Sequence, residues 1–152
     1  MADEEQNPNL IAYCGLYCPD CQAYKGKISD LAITLRKELR RTDYEKFAKF
    51  ISQYSEGKDL KHFNDCYTVL GAIAAFRCDK GCRGGGGSES CQIRQCCIRK
   101  GFEGCWECSE FEKCKKLDIH KPLHGEAHRR NLRTIREKGK EEIVKGNRLW
   151  TT

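Results

Sequence analysis

Leucine recurs at Leu31, Leu35 and Leu39, the every-fourth spacing of one helical face, and Ser29 or Asp30 stands where a cap would serve the first turn. A second apolar stripe follows at Tyr44, Phe47, Ala48, Ile51 and Tyr54. Ahead of it, Thr42-Asp43-Tyr44-Glu45 fits a capping box, in which the Thr hydroxyl and the Glu carboxylate satisfy each other's free backbone N–H groups. Gly57 ends that run. A third helix is expected from about Asp59 to Phe76, with Leu60, Phe63, Cys66, Tyr67, Leu70 and Ile73 on one side. Inside such a stripe Cys66 reads as a small buried hydrophobe.

From Arg77 to Cys114 glycine and cysteine replace the aliphatics. Gly84 to Gly87 cannot favour regular structure, because glycine loses the most backbone entropy on ordering, and a flexible loop is expected there. No Gly-Lys-Ser/Thr follows, so a phosphate-cradling loop is a poor reading. A short helix over Gln92 to Lys100 stopped by Gly101, and another entered at Ser109 with Glu112 completing a second capping box, fit the pattern. Beyond Leu117, Pro122 suits the start of a helix that continues to Lys138 before Gly139. On that helix His124, His128, Leu132 and Ile135 share one side, and Arg129, Arg133 and Arg136 form a basic stripe expected to face away from it.

No alternating strand pattern of useful length appears. The fold class is therefore mainly α: a small helical domain with an irregular Cys/Gly-rich metal-knuckle segment. Residues 1–152 read as a single domain, with a metal triplet at 11–24, helices over about 30–76, the Cys-rich segment at 77–116 and a basic helical region at 117–152.

Composition narrows the chemistry. The mean hydropathy of −0.72 and a longest apolar run, Val69 to Phe76, far short of the roughly 20 residues of a membrane span argue against a membrane protein. The acidic start MADEEQNPNL lacks the features of a secretory signal, so a cytoplasmic protein is expected. In that compartment thiols stay reduced, and 12 cysteines point to metal before disulfides. The formal net charge of +6 is local: residues 1–114 carry 17 basic and 17 acidic side chains, residues 115–152 carry 11 and 5. Each four-thiolate zinc site would offset about two of those charges, which leaves nucleic acid weakly supported as a partner.

Two cysteine clusters carry the chemistry. Cys14, Cys18 and Cys21 form a C-x3-C-x2-C triplet, and Cys78, Cys82, Cys91, Cys96, Cys97, Cys105, Cys108 and Cys114 lie within 37 residues. Short C-x2-C and C-x3-C pairs bring two thiolates to one ion through a tight turn, and neighbouring Gly81, Gly101 and Gly104 permit the bends. Structural zinc takes four thiolates and supplies folding energy that a glycine-rich segment lacks. About two zinc ions are expected, the triplet drawing a missing ligand from the second cluster. An iron–sulfur cluster or thiol-redox chemistry is the alternative, since four-thiolate sites also suit iron.

Catalysis is less well supported. A radical enzyme built on C-x3-C-x2-C needs a partial barrel of strands and helices, and a thioredoxin-type dithiol at Cys18 and Cys21 needs a preceding strand; the chain offers neither. No catalytic constellation stands out, and a binding or recognition role is favoured over an enzyme; the residues name no partner, and a protein partner is compatible with them. His120, His124 and His128 repeat at one-turn spacing, but with surplus thiolates zinc has no need of imidazole.

These residues together give the chain a resemblance. IAYCGLYCPDCQAY, the Cys78/Cys82 pair, CQIRQC, KGFEGCWEC, FEKCKKL and LHGEAHRRNLRTIREKG are similar to motifs of a cysteine-rich prokaryotic family of unknown function. The resemblance implies a compact metal-binding domain. It points to Cys14, Cys18, Cys21, Cys78, Cys82, Cys91, Cys96, Cys105, Cys108 and Cys114 as motif positions, and leaves Cys66 and Cys97 as extras. CDKGC stands where the motif has a tighter C-x-G-C.

Overall fold

The computed structural model describes residues 6–152, and these divide into two compact units. Lys25–Cys78 form one; the residues up to Tyr24, together with Asp79–Thr152, form the other. Among the described residues there is no strand, and the mainly helical class holds; an isolated antiparallel bridge joins Ile11 and Tyr17. No helix among them is long and apolar enough to cross a membrane.

The Lys25–Cys78 unit holds three α-helices: α1 (Lys27–Arg41), α2 (Tyr44–Ile51) and α3 (Phe63–Ala75), with a 3-10 helix over Ser55–His62. The third helix thus begins later than the periodicity predicted, its first part winding as 3-10. Helix α1 packs through its small residues. Ser29 and Ala32 are buried, and the Ser29 hydroxyl donates to the Ile73 carbonyl at 2.9 Å, whereas Leu31 is 62% exposed and Leu35 47%. The leucine stripe is therefore an outer face, because close approach to α3 selects small side chains. The expected capping box does not form either. Asp43, at φ +51°, stands at the cap of α2, and the Thr42 hydroxyl donates back to the Glu38 carbonyl at 3.0 Å. Cys66, expected in the core, is exposed.

The other unit is built on a core of Ile11, Leu16, Tyr17, Ile93, Phe111, Leu117, Leu132, Ile135 and Ile143. Helix α4 (Gln92–Lys100) has the predicted bounds. The Ser109 capping box is replaced by a 3-10 turn over Phe111–Lys113, and the Glu112 carboxylate instead meets Arg133 at 2.6 and 2.7 Å. The single C-terminal helix expected from Pro122 to Lys138 is interrupted, giving α5 (Lys121–His124) and α6 (Ala127–Lys138), and a further short helix, α7 (Lys140–Val144), follows Gly139. Gly125, at φ +55°, makes the break; a Cβ there would lie 2.3 Å from the Thr152 hydroxyl. On α6 the buried Asn131 amide donates to the carbonyls of Gly15 at 3.1 Å and Leu149 at 2.8 Å, and its oxygen accepts from the Leu149 amide. One side chain so ties the first loop to the chain end.

The basic stripe of α6 faces away only in part: Arg133 is exposed, but Arg129 is buried and Arg136 reaches back across the surface. Arg129, 4% exposed, donates to the Cys114 carbonyl at 2.9 Å and to Asp118 at 2.8 Å. Arg136 donates to the carbonyls of Trp106 and Cys108 at 2.9 and 2.5 Å and lies over the Phe111 ring. An irregular segment leaves carbonyls without helical or sheet partners, and the guanidinium fork supplies the missing donors.

Candidate metal centre

The two cysteine clusters meet in this second unit. Gly81 has φ +63°, and a Cβ at that position would lie 3.6 Å from the Cys18 sulfur. Glycine therefore lets the chain bend against Cys18, and the next amide, that of Cys82, donates to Cys18 Sγ at 3.3 Å. Backbone amides also serve two further sulfurs: Leu16 favours the thiolate of Cys14, and Tyr13 that of Cys82. Burial opposes ionisation at both. It pushes the Cys14 thiol up to about 12, with Cys82, Cys91 and Cys18 close enough to add their charges, and it raises Cys82, beside Cys91. Four thiols from three stretches of chain, Cys14, Cys18, Cys82 and Cys91, so share one neighbourhood. Around Cys14 the structure gathers two thiols of the second cluster with one other member of the triplet.

A buried cation braces this group. Arg94 on α4 donates to the carbonyls of Gly86 and Ser88 at 2.7 Å each, and to those of Cys82 and Glu89 at 3.3 and 3.4 Å. Its charge lowers the cost of ionising Cys82. The four-glycine loop is irregular, as expected, but is held by this guanidinium and by the Gly86 amide donating to the Gly81 carbonyl at 2.7 Å. Nearby, Arg83 donates to the Ile11 carbonyl at 2.8 Å and lies over the rings of Tyr13 and Trp106.

A second thiol contact lies deeper. Cys97 and Cys105 are both buried, with their sulfurs 3.6 Å apart. The contact lowers Cys97 and raises Cys105, because the two thiols share a hydrogen bond in which either sulfur can donate, so that only one of them ionises readily. Cys14 and Cys114 are further charge neighbours of Cys105. Cys97, an extra by sequence, thus sits against a motif cysteine. The adjacent pair Cys96-Cys97 on α4 signals that one of them must face inward, and only the packing of α4 tells which.

The remaining motif positions are more peripheral. Cys108 packs against the core, Cys21 and Cys96 are half-buried, and Cys78 belongs to the helical unit. As placed, no three His, Cys, Asp or Glu side chains among the described residues converge as a metal site. The donor set nevertheless fits a soft divalent ion. Buried sulfurs that receive backbone N–H donors have thiolate surroundings without the countercharge, and a coordinated cation supplies it by deprotonating the thiol outright.

The histidines cluster as well. The His120 ring lies 5.7 Å from that of His124 and 5.5 Å from that of His128. His124 Nδ1 is 2.7 Å from the Trp150 carbonyl and donates to it, while His128 Nε2 lies 3.4 Å from Arg129. Burial drives His120 and His128 down to about 4 each, so both are neutral near pH 7.

A family model described as a protein of unknown function (DUF3795) matches residues 10–119, which takes in both cysteine clusters and stops before the histidines. No curated protein and no solved structure matches the chain.

Proposed function

Since the chain belongs to the DUF3795 family, a domain of unknown function that prescribes no reaction, we propose that it is a zinc-binding protein whose metal is structural and whose role is recognition of another protein. The observation that carries the zinc reading is the set of backbone amides aimed at the sulfurs of Cys14, Cys18 and Cys82. A thiol gains little from an N–H donor, whereas a thiolate gains a charge-assisted bond. Cys14, Cys18, Cys82 and Cys91 would hold the ion, which would link the first loop to the Cys-rich segment. Zinc, with no redox chemistry and a preference for four thiolates in closed sites, suits such a staple. Recognition is favoured over catalysis because the polar side chains around the thiols are spent on backbone carbonyls. The helical unit also presents exposed apolar faces, among them Leu31, Phe50, Val69 and Phe76.

The test is the metal content of protein purified without oxygen. Zinc in a colourless preparation is expected, and Cys14→Ser should lower its content by one ion per chain while Cys66→Ser leaves it unchanged. A brown preparation rich in iron and sulfide would replace zinc by a cluster.

A further inference from the structure

We infer that Cys97, together with Cys105, Cys108 and Cys114, holds a second ion, separate from the one around Cys14. The inference rests on the zinc reading above and assigns as a ligand a cysteine that the family resemblance leaves as an extra. Two thiolates bound at about 2.3 Å to a tetrahedral ion stand about 3.8 Å apart, against about 2.05 Å in a disulfide. The Cys97–Cys105 separation of 3.6 Å is close to the first and far from the second.

Among the described residues the sulfur contact is made by Cys97 and Cys105 alone; the other two cysteines follow along the same stretch of backbone. The Phe102 amide donates to the Cys97 carbonyl at 2.9 Å as α4 ends, turning the chain back, and the Cys105 amide donates to the Tyr13 carbonyl at 2.8 Å. From there the 3-10 turn Cys105–Glu107 brings Cys108 round in a C-x2-C knuckle, its amide donating to the Cys105 carbonyl at 3.0 Å. The next turn, Phe111–Lys113, ends at Cys114, a charge neighbour of Cys105.

Four thiolates on a divalent ion leave a net charge of about −2. Cations offset part of it. Arg83 and Lys100 are positive neighbours of Cys97, with the Glu107 carboxylate acting the other way, and the guanidiniums of Arg136 and Arg129 are held on the carbonyls of Cys108 and Cys114. Cys96, the neighbour on α4, is half-buried and would stay outside the set.

Zinc analysis of the full chain, with each variant purified without oxygen, tests this. Wild type is expected to hold two ions, Cys97→Ser and Cys105→Ser one each, and Cys96→Ser two. Should Cys97→Ser fail to fold, cadmium-113 substitution of the wild type reads the ligands directly. One cadmium is expected to couple to the β protons of Cys97, Cys105, Cys108 and Cys114. Two ions retained in Cys97→Ser, no cadmium coupling to Cys97, or a Cys97–Cys105 disulfide in the metal-loaded protein would each overturn the assignment and leave the site around Cys14 standing. A wild type with one ion lost on Cys14→Ser has the first site only, and a wild type without metal removes both readings.

Discussion

Arg94 shows how a single buried side chain organises an irregular segment. It forms no ion pair among the described residues and spends its donors on four carbonyls of the glycine loop and its flanks. A charged donor to a carbonyl contributes about 1.5–3 kcal/mol where the alternative is an unsatisfied group, so the loop is ordered by a residue of the helix that follows it. Histidine gives the residue scale its pH dependence. His120 is lowered by burial and by His124; His128 is lowered by burial, His120, Arg129 and His124, with Glu126 acting the other way. Both fall from 6.5 to about 4 in the folded chain, so between those values the unfolded chain binds more protons. Their contribution is full above about pH 6.5 and is lost as pH falls toward 4. His120→Gln removes one such group, and the fall of unfolding free energy with pH in that window should become shallower by up to about 1.4 kcal/mol per pH unit. Urea denaturation of both proteins at a series of pH values measures it; parallel curves would show that His120 keeps its ordinary value in the folded state.

At the scale of elements, the C-terminal helical region shows where local pattern and tertiary context part. The periodicity from Pro122 to Lys138 is continuous, and no residue other than Gly125 argues for a break. The break arises because the chain end returns to this point: the Glu126 amide donates to the Thr152 hydroxyl at 2.9 Å, and Gly125 beside it takes φ +55° and ψ −124°, a combination that L side chains avoid. An L side chain held there costs about 1–3 kcal/mol, and here it also meets Thr152. Gly125→Ala should therefore destabilise the fold by roughly 1–3 kcal/mol. Thermal unfolding of the variant, with deletion of Thr151 and Thr152 in the same background to relieve the contact, separates the backbone term from the steric one. Helix α4, by contrast, was fully legible in sequence, because Gly101 supplies a local stop signal at its end. The leucine stripe of α1 is the opposite case: periodicity marks a face but not whether a neighbour lies against it, and Ser29 and Ala32 permit the closer packing.

For the whole molecule, the consequence of a metal staple depends on which unit carries the ligands. The helical unit has only Cys66 and Cys78, whereas the other gathers the remaining ten cysteines. Chelation should accordingly raise amide hydrogen exchange through α4 and residues 102–120 by orders of magnitude, since a structural zinc site contributes folding energy outright. Amides within α1 and α3 should change by much less. Mass-spectrometric exchange with and without chelator measures both; equal loss of protection in the two units would show that the metal supports the helices as well, and protection surviving complete zinc removal would end the structural role.

The sequence by itself determined the helical class, the bounds of α4 and the residues able to ligate metal, because these follow from local periodicity, local stop signals and side-chain chemistry. Only the tertiary structure decided which thiols share a neighbourhood. Cys14 meets Cys82 and Cys91, and Cys97 meets Cys105, across stretches of chain whose spacing carries no record of the meeting. It also decided that Arg129 of α6 turns inward and that Arg136 folds back onto the cysteine-rich segment, while Arg130 and Arg133 stay exposed. A helix face is basic by composition, but whether it meets solvent depends on unpaired carbonyls elsewhere, and those of the cysteine-rich segment claim Arg129 and Arg136.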